Sequence, residues 1–318
     1  MQVLVTGAAG CIGSSLVDAL LERGHKVVGV DNFSTGLREF VARALQHHNF
    51  RLIEGDTLDA ELVANACVGA DLVVHLQANA DVRFGPDHPD RDLKQNVIAT
   101  HNVLEGMRRQ GVRRIAFSST GSVYGEAKQI PTPEDCPFPV QTSLYGASKL
   151  AAEGLIEAYA ESFGVVADIF RFVSILGPRY THGHVFDFVR SLKADPQNLH
   201  ILGNGKQRKS YLHIEDCIAA ILTAVHFEHS GTEIYNFGHD SYCEVTDSAG
   251  WICDTLNVAP AFTFSGGDRG WIGDNPFIQL DPSKIRGKGW APRYSIEESV
   301  RHTAKWLLEN PWVFEKRS

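Results

Sequence analysis

Tyr145 and Lys149 are the residues whose types and spacing most directly suggest proton chemistry in this chain. Positions i and i+4 of a helix share a face, and apolar residues recurring at helical spacing predict a helix over 145–163. A neighbouring cation stabilises a phenolate and lowers the phenol pKa from its usual value of about 10. The pair therefore predicts a general base, Tyr145, supported by the ammonium of Lys149. The alternative is an ordinary Tyr and Lys on a solvated helix face.

A second candidate site is the glycine-spaced segment formed by Gly7, Gly10 and Gly13. A short β-branched run at 2–6 precedes it and a helical pattern follows at 11–23, which predicts a strand-turn-helix junction. Glycines at such a junction let the backbone approach a pyrophosphate at the positive helix N-terminus. The spacing is Gly-x-x-Gly-x-x-Gly instead of Gly-x-Gly-x-x-Gly, so a plain turn is the alternative. We predict a dinucleotide site.

Asp31 ends the next predicted strand, at 26–31, and bears on the choice of dinucleotide. A carboxylate at this place accepts hydrogen bonds from the adenosine ribose and repels a 2′-phosphate. The predicted cofactor is therefore NAD and not NADP.

These residues need elements that bring them to one edge of a sheet. Strand-like runs alternate with helical patterns, which is typical of a parallel, doubly wound sheet, so we predict an α/β, Rossmann-like fold. The predicted strands are 2–6, 26–31, 51–54, 72–76, 114–119 and 166–172, and the predicted helices are 11–23, 59–67, 91–110 and 145–163.

The alternation weakens after about residue 175. We predict an NAD-binding Rossmann domain over 1–174 and a smaller C-terminal substrate-binding region over 175–318. A helix and a strand within 214–238 are expected to return to the Rossmann domain. The active site is then expected in the cleft between the two parts.

Composition excludes several classes of partner. The chain has 318 residues, 43% of them hydrophobic, and a formal charge of −8 at pH 7. The acidic balance without a basic stripe argues against nucleic-acid binding. No apolar stretch has membrane-spanning length and no charged leader precedes the first strand, so we expect a soluble, cytoplasmic protein with no membrane partner.

Cysteine and histidine are the residue types that would indicate disulfides or a metal. The six cysteines include no Cys-x-x-Cys pair, so we expect separate reduced thiols. Among the 14 histidines, His182 and His184 suggest a metal site, but no further Glu or His stands at a spacing that would complete a zinc set. We therefore predict no metal.

These motifs together resemble those of the extended short-chain dehydrogenase/reductases and, within them, the nucleotide-sugar 4-epimerases of the UDP-glucose 4-epimerase type. The resemblance covers nearly the whole chain. Its marks are the Gly7/Gly10/Gly13 turn, Asp31-Asn32, Gly55-Asp56, His75-Leu76, Asn96, Ser118-Ser119-Thr120, Val123-Tyr124-Gly125, Tyr145-Gly146-Ala147-Ser148-Lys149, Arg171-Phe172, Gly177-Pro178 and Gly203-Asn204-Gly205.

The resemblance implies a role for each catalytic residue. Tyr145 would take the proton of a sugar hydroxyl while NAD takes the hydride from the same carbon. Lys149 would hold the cofactor ribose, and Thr120 would position the reacting oxygen. A transient 4-keto sugar would turn over in the pocket and be reduced on its other face.

The resemblance also implies binding residues and an assembly. The cofactor set is Gly7, Gly10, Cys11, Ile12, Gly13, Asp31, Asn32, Asp56, Thr57, Leu76, Gln77, Ala78, Asn96, Ser118, Tyr145, Lys149 and Phe172. The substrate set is Arg83, Thr120, Gly121, Ser122, Tyr145, Ser174, Arg208, Lys209 and Arg269. The helices near 91–110 and 145–163 would pair with their copies in a homodimer.

Several positions depart from the family pattern. Gln77 replaces a frequent Ala and could reach the nicotinamide side or narrow the pocket, and Ser174 replaces an Asn. Lys209 replaces an Arg, with Arg208 beside it as a candidate to take over the phosphate, although Lys is only a point charge where Arg binds bidentately. Arg269 resembles the late diphosphate-binding Arg, in a slightly longer loop.

Two further features bear on the substrate and the reaction. The family's 4,6-dehydratases carry Asp-Glu directly after the residue equivalent to Thr120, and the UDP-glucuronate decarboxylases keep a Glu there. Gly121 and Ser122 lack these carboxylates, so epimerisation or carbonyl reduction remains. Arg83 either forms a surface ion pair or faces the sugar, where it would suit the carboxylate of a uronic acid.

The sequence thus predicts an NAD-dependent epimerase of a nucleotide sugar, acting at C4 of a UDP-hexose or UDP-hexuronic acid. One alternative is a nucleotide-sugar ketoreductase or dehydrogenase. Another, of a different class, is a non-catalytic NAD-sensing regulator, against which the proton-transfer set Thr120, Tyr145 and Lys149 argues.

Overall fold

The computed structural model describes residues 1–79, 87–138, 140–271 and 273–317. Its centre is a parallel sheet of seven strands, β1 (Gln2–Thr6), β2 (Lys26–Asp31), β3 (Phe50–Glu54), β4 (Leu72–His75), β5 (Arg114–Thr120), β6 (Val166–Phe172) and β11 (Thr232–Phe237). Their spatial order is β11-β6-β5-β4-β1-β2-β3. The chain runs outward in both directions from β1, so the predicted doubly wound, Rossmann-like fold is confirmed. Between β1 and β4 the direction reverses, and the carboxyl ends of the strands open a crevice there.

Helices cover both faces of this sheet. They are α1 (Cys11–Glu22), α2 (Ala60–Ala66), α3 (Pro89–Asp92), α4 (Ala99–Gln110), α5 (Leu144–Phe163) and α7 (Ile214–Ala224). The strands and helices predicted up to residue 172 lie within one residue of the observed ones, with one exception. The helix predicted over 91–110 is not continuous, because Leu93–Ile98 is a π-helical segment between α3 and α4.

The burial of β1 shows how the sheet organises the core. Val3, Leu4 and Val5 are all fully buried. Side chains alternate between the faces of a strand, so Val3 and Val5 join the apolar cluster with α1 and α7, whereas Leu4 joins the cluster with α2, α4 and α5. A strand buried on both faces is typical of a parallel sheet covered by helices.

The remaining elements build a second apolar cluster around α6 (His184–Ala194), α8 (Val245–Leu256) and α10 (Ile296–Glu309). Small sheets accompany them: β7 (Ser174–Leu176) with β10 (Tyr211–His213), β8 (Asn198–Ile201) with β13 (Ala261–Phe264), and β9 (Arg208–Lys209) between β12 (Cys243–Glu244) and β14 (Phe277–Ile278). The short helices α9 (Ser283–Arg286) and α11 (Trp312–Lys316) complete the chain. In the described part of the chain, no helix combines the length and apolar character needed to cross a bilayer.

Two elements that follow residue 175 belong to the central sheet and its helices. Strand β11 extends the sheet by pairing with β6, and α7 packs on α1. The division into 1–174 and 175–318 stays a prediction.

Candidate active site

The glycine turn after β1 has the shape that a dinucleotide pyrophosphate requires. Gly7 has φ +69°, and a Cβ there would lie 2.9 Å from the backbone nitrogen of Gln77. A Cβ on Gly13 would lie 2.0 Å from the carbonyl oxygen of Gly7. Helix α1 then begins after Gly10 without any side-chain cap. Its first amide groups therefore remain open to an anion, which fits a phosphate group.

The side chains of this turn pack inward. Ile12 is partly buried against the core, and the Cys11 thiol donates to the carbonyl of Pro178 at 3.5 Å. Burial raises the pKa of the Cys11 thiol to about 12. Cys11 is therefore a packing residue under the turn.

Asp31 holds the turn in place. Its Oδ2 accepts from the amide of Ala9 at 2.8 Å, and its Oδ1 accepts from the amide of Phe33 at 2.8 Å. Burial raises the pKa of this carboxyl, and the two hydrogen bonds oppose that effect. Each carboxylate oxygen can accept more than one hydrogen bond, so Asp31 can bind a ribose hydroxyl as well as support the turn.

A cleft of about 410 Å³ lies beside the turn. It brings together three residues predicted to bind the cofactor, Asn32, Asp56 and Ala78. The Asn32 amide donates to Asp56 Oδ2 at 2.8 Å and so orients that carboxylate. The other lining residues are Ser34, Thr35, Asn79, His88, Asp90, Arg91, Lys94 and Gln95.

Gln77 is connected to this cleft by a chain of hydrogen-bonded polar side chains. Its Oε1 accepts from the hydroxyl of Thr57 at 2.9 Å, and its amide donates to Gln95. Gln95 in turn donates to Asp56 Oδ2 at 3.3 Å. Gln77 therefore supports the Asp56 side of the site. Gln95 was not predicted, because it lies in the π-helical segment.

Tyr145 and Thr120 meet at the edge of the sheet. Thr120 ends β5 and Tyr145 lies in the first turn of α5, where the Thr120 side chain lowers the pKa of the phenol. Gly146 permits this approach, because a Cβ there would lie 2.8 Å from the carbonyl oxygen of Ser122. Ser143 caps α5 by accepting from the amide of Gly146 at 3.0 Å.

The electrostatics of Tyr145 differ from the sequence-based expectation. The pKa of its phenol is raised to about 12, where a lowered value was predicted. Burial is the largest cause, the negative charge of Asp92 adds to it, and the Thr120 hydrogen bond opposes it. The phenol therefore needs a nearby positive charge before it can act as a base near neutral pH.

Lys149 is buried on the neighbouring turn of α5, with 1% of its surface exposed. Its ammonium donates to the carbonyl of Ser118 at 2.7 Å and lies 4.6 Å from the centre of the Phe117 ring. Burial lowers the pKa of Lys149 to about 7, and the charges of Glu153 and Asp92 oppose this shift. Lys149 thus lies one turn after Tyr145 on α5, with its ammonium bound to the end of β5.

A buried ion pair supports the strand behind these residues. Arg171 binds Glu153 through two guanidinium nitrogens, at 2.7 and 3.1 Å, and both side chains are almost fully buried. Glu153 also accepts from Ser119, and Arg171 donates to the Tyr124 hydroxyl at 2.7 Å. This network connects β5, β6 and α5 below Thr120 and Lys149.

Three further residues of the predicted cofactor set are Asn96 in the π-helical segment, Leu76 directly after β4, and Phe172 at the end of β6. Asn96 donates to Ser148 Oγ at 2.8 Å and accepts from the amide of Asn79 at 2.9 Å. The amide of Leu76 donates to the carbonyl of Thr6 at 3.2 Å. Phe172 is buried against Phe237 in the core.

Lys209 and Arg269 converge on Asp274, a residue that sequence reasoning missed. The ammonium of Lys209 lies 2.6 Å from Asp274 Oδ1, and Arg269 donates to the Asp274 carbonyl at 2.7 Å. Arg269 also pairs with Glu126 of the loop that follows β5. Lys209 and Arg269, both predicted to contact the substrate diphosphate, therefore lie close together.

The other predicted substrate residues are more dispersed. Arg208 is exposed on the opposite side of β9, with its guanidinium 4.0 Å from the centre of the Phe277 ring, so it does not join Lys209. Ser174 is exposed on β7, whereas Gly121 and Ser122 form the turn after Thr120. Arg83 lies outside the described residues.

Comparison with known proteins identifies the family. Residues 3–238 match the family model described as NAD dependent epimerase/dehydratase family. The chain belongs to that family. NAD is accordingly its cofactor, and the assignment of the pyrophosphate to the glycine turn stays a prediction.

Several relatives and structural neighbours are similar to this chain over nearly their full length. The chain is 33% identical to the UDP-glucose 4-epimerase of Corynebacterium glutamicum, over 99% of this chain and 95% of that protein. A crystal structure of a UDP-galactose 4-epimerase is 36% identical with a TM-score of 0.88, covering 98% of this chain and 100% of the other. A UDP-glucuronic acid 4-epimerase mutant from Bacillus cereus, in complex with a fluorinated UDP-glucuronic acid and NAD, is 26% identical with a TM-score of 0.90, covering 97% and 99%.

Proposed function

We propose that this protein interconverts two nucleotide sugars that differ at C4, with a UDP-hexose or UDP-hexuronic acid as substrate. The observation that carries the proposal is that Thr120 interacts with Tyr145 at the end of β5, while Lys149 is buried one turn further along α5. NAD, when bound, supplies the acceptor and donor of hydride for such a reaction.

The residues of the chain supply the proton chemistry. Tyr145 removes the proton of the reacting hydroxyl and returns it when the sugar is reduced again. Thr120 orients the same oxygen, since it already contacts the Tyr145 hydroxyl. The Lys149 ammonium contributes the positive charge that a phenolate at Tyr145 needs.

The turn after Thr120 favours epimerisation over elimination. Gly121 and Ser122 follow Thr120, so neither residue can supply the carboxylate that a dehydratase uses there. The similarity to UDP-sugar 4-epimerases supports the same choice. Lys209 and Arg269 would contact the diphosphate of the substrate, exchanging their present contacts with Asp274 and Glu126.

We also propose that the protein is a cytoplasmic homodimer. The six cysteines are all unpaired, as in a reducing compartment. Helix α4 and helix α5 would form the interface with their copies in a second subunit. A mass corresponding to a monomer at every concentration in light scattering would contradict the dimer.

The substrate can be identified by thermal shift with UDP-, GDP-, CDP- and dTDP-sugars. A ligand at a hundredfold its dissociation constant adds about 2.7 kcal/mol to the free energy of unfolding. The sugar nucleotides that bind are then tested as substrates, by chromatography of the two epimers and by absorbance at 340 nm. Epimer formation without net change at 340 nm supports the proposal, whereas stoichiometric change at 340 nm indicates a ketoreductase or dehydrogenase.

A further inference from the structure

Asp92 is a buried residue whose carboxylate charge acts on both Tyr145 and Lys149. It is the last residue of α3, and 1% of its surface is exposed. Its Oδ1 accepts from the side-chain amides of Asn79 at 2.9 Å and Asn96 at 3.4 Å. Its Oδ2 is buried without a hydrogen-bond partner among the described residues. A buried carboxylate oxygen in this condition is costly unless a positive charge lies nearby.

The amide of Asn96 fixes this carboxylate relative to α5. It donates to Ser148 Oγ at 2.8 Å, and Ser148 Oγ donates to the carbonyl of Tyr145 at 2.8 Å. Ser148 also precedes Lys149 in the chain. The position of the Asp92 charge is therefore tied to the helix that carries both members of the proton-transfer pair.

The charged groups around Lys149 come from three elements. Glu153 lies on α5 itself, but Arg171 already binds it through two nitrogens. His75 on β4 is neutral, because burial lowers the pKa of its imidazole to about 3. Asp92 on α3 is the remaining acidic group that acts on Lys149 among the described residues. Asp92 itself faces Lys149, the phenol of Tyr145 and the exposed Arg91.

We propose that Asp92 is a positioning residue of the reaction, whose fixed carboxylate keeps Lys149 in its ammonium form and so sets the upper limit of the active pH range. This role rests on the proposed epimerase function. It agrees with the direction in which the charge of Asp92 moves the pKa of Lys149. Because the carboxylate also disfavours the Tyr145 phenolate directly, its contribution must pass through Lys149.

The first test compares Asp92→Asn with Asp254→Asn. Asp254 is an exposed residue of α8, away from the site, which pairs with Arg301 at 3.0 Å. The measured quantity is kcat/KM for epimerisation between pH 6 and 10, with UDP-glucose, UDP-galactose or UDP-glucuronic acid, whichever is turned over. In Asp92→Asn the alkaline limb is expected to move at least one pH unit lower, a tenfold loss of kcat/KM on that side, whereas Asp254→Asn is expected to keep the wild-type profile. An alkaline limb that stays in place or moves upward overturns the proposal.

A second test needs no substrate. Melting temperatures at pH 7 are compared for the wild type, Asp92→Asn, Lys149→Met and the double variant. If the two charges stabilise each other, the change in melting temperature caused by Lys149→Met is more favourable in the Asp92→Asn background than in the wild type, whatever its sign. Equal shifts in both backgrounds overturn the pairing. Asp92→Ser, which is neutral and smaller, replaces the Asn variant if that variant does not fold.

The two tests separate the two proposals. If the effects of Asp92→Asn and Lys149→Met on the melting temperature depend on each other, but the protein epimerises none of these sugars, the proposed function is rejected and the charge pairing is supported. If the two substitutions change the melting temperature additively and the active Asp92→Asn enzyme keeps the wild-type pH profile, only the proposed role of Asp92 is rejected.

Discussion

Thr120 at the end of β5 and Tyr145 in the first turn of α5 lie close enough for the Thr120 side chain to lower the pKa of the Tyr145 phenol. This contact exists because Gly146 lets the helix approach the turn after Thr120. It places Tyr145, the proposed proton acceptor, at the carboxyl edge of the sheet, where parallel α/β proteins bind their ligands. The proposed catalytic roles of Thr120 and Tyr145 depend on that placement.

Replacing Tyr145 by Phe removes the phenolic oxygen and little else. We expect turnover to fall at least about 100-fold, the lower end for loss of a general base, while NAD and nucleotide-sugar binding persist. Single-turnover kinetics measure the first quantity and calorimetry the second. Near-normal epimerisation by Tyr145→Phe would mean that the spacing of Tyr145 and Lys149 is coincidental.

Thr120→Val is expected to reduce turnover less than Tyr145→Phe, by roughly 10- to 100-fold, the range for losing a hydrogen bond to a charged group. The hydrogen bond from Thr120 lowers the pKa of Tyr145, so its loss raises that pKa. The acid limb of the kcat profile should therefore move to higher pH. A profile that keeps its shape at lower amplitude would assign Thr120 to substrate positioning alone.

Lys149→Met should change how stability depends on pH. Below about pH 7 Lys149 is charged in both the folded and the unfolded protein. The whole free-energy penalty of burying its ammonium therefore lowers the stability of the fold. Between about pH 7 and 10.5 the folded protein has released a proton that the unfolded chain keeps, so the free energy of unfolding rises with pH. The variant lacks this rise, which amounts to a few kcal/mol at most, at about 1.4 kcal/mol per pKa unit. Urea unfolding of both proteins across this range measures the difference, and parallel curves would contradict it.

Gly13→Ala should abolish NAD binding or prevent folding, because its Cβ would lie 2.0 Å from a backbone oxygen. The matched control is Gly154→Ala in α5, where no atom lies within 4 Å of the added Cβ. Ala in a helix interior stabilises by roughly 0.5–1 kcal/mol relative to Gly. Calorimetry with NAD and thermal melts distinguish the two variants. If Gly13→Ala bound NAD with wild-type affinity, the prediction that this turn binds the pyrophosphate would be wrong.

Arg171→Met should destabilise the protein by about 3–5 kcal/mol, because it leaves the buried Glu153 carboxylate without its partner. The control is Arg109→Met, whose exposed pair with Glu61 is worth less than about 1 kcal/mol. Chemical denaturation measures both values. Equal effects of the two substitutions would show that the buried network adds nothing specific.

The sequence predicted the elements that follow from a local period, and it missed contacts that depend on a local irregularity or on long range. The β-branched run before Gly7 specifies a strand that ends in the glycine turn, and the apolar spacing around Lys149 specifies one face of a helix. The glycine turn and the pairing of Tyr145 with Lys149 on one helix could therefore be predicted from the sequence. Asp92 was not, because the pattern over 91–110 indicates a continuous α-helix, whereas the π-helical segment changes which side chains face α5. Asp274 pairs with Lys209 from 65 positions away, and no local pattern encodes such a contact.

The raised pKa of Tyr145 was missed for a related reason. Spacing shows that a cation is near a phenol, but it does not show how much water the fold removes from both. Burial turned out to be the largest influence on Tyr145 and on Lys149 alike, and it acts against the charged form of each.

The pairing of β11 with β6 also has a consequence for biosynthesis. The chain completes β6 at Phe172, but its neighbour begins only at Thr232, about 60 residues later. At 5–20 residues per second, a ribosome needs about 3–12 s to make that stretch. During this interval the growing chain carries an almost completely buried strand whose outer backbone groups lack their final partner, and such edges are sites of aggregation. The emerging polypeptide is therefore most vulnerable to misassembly, and most in need of a chaperone, between these two points of translation.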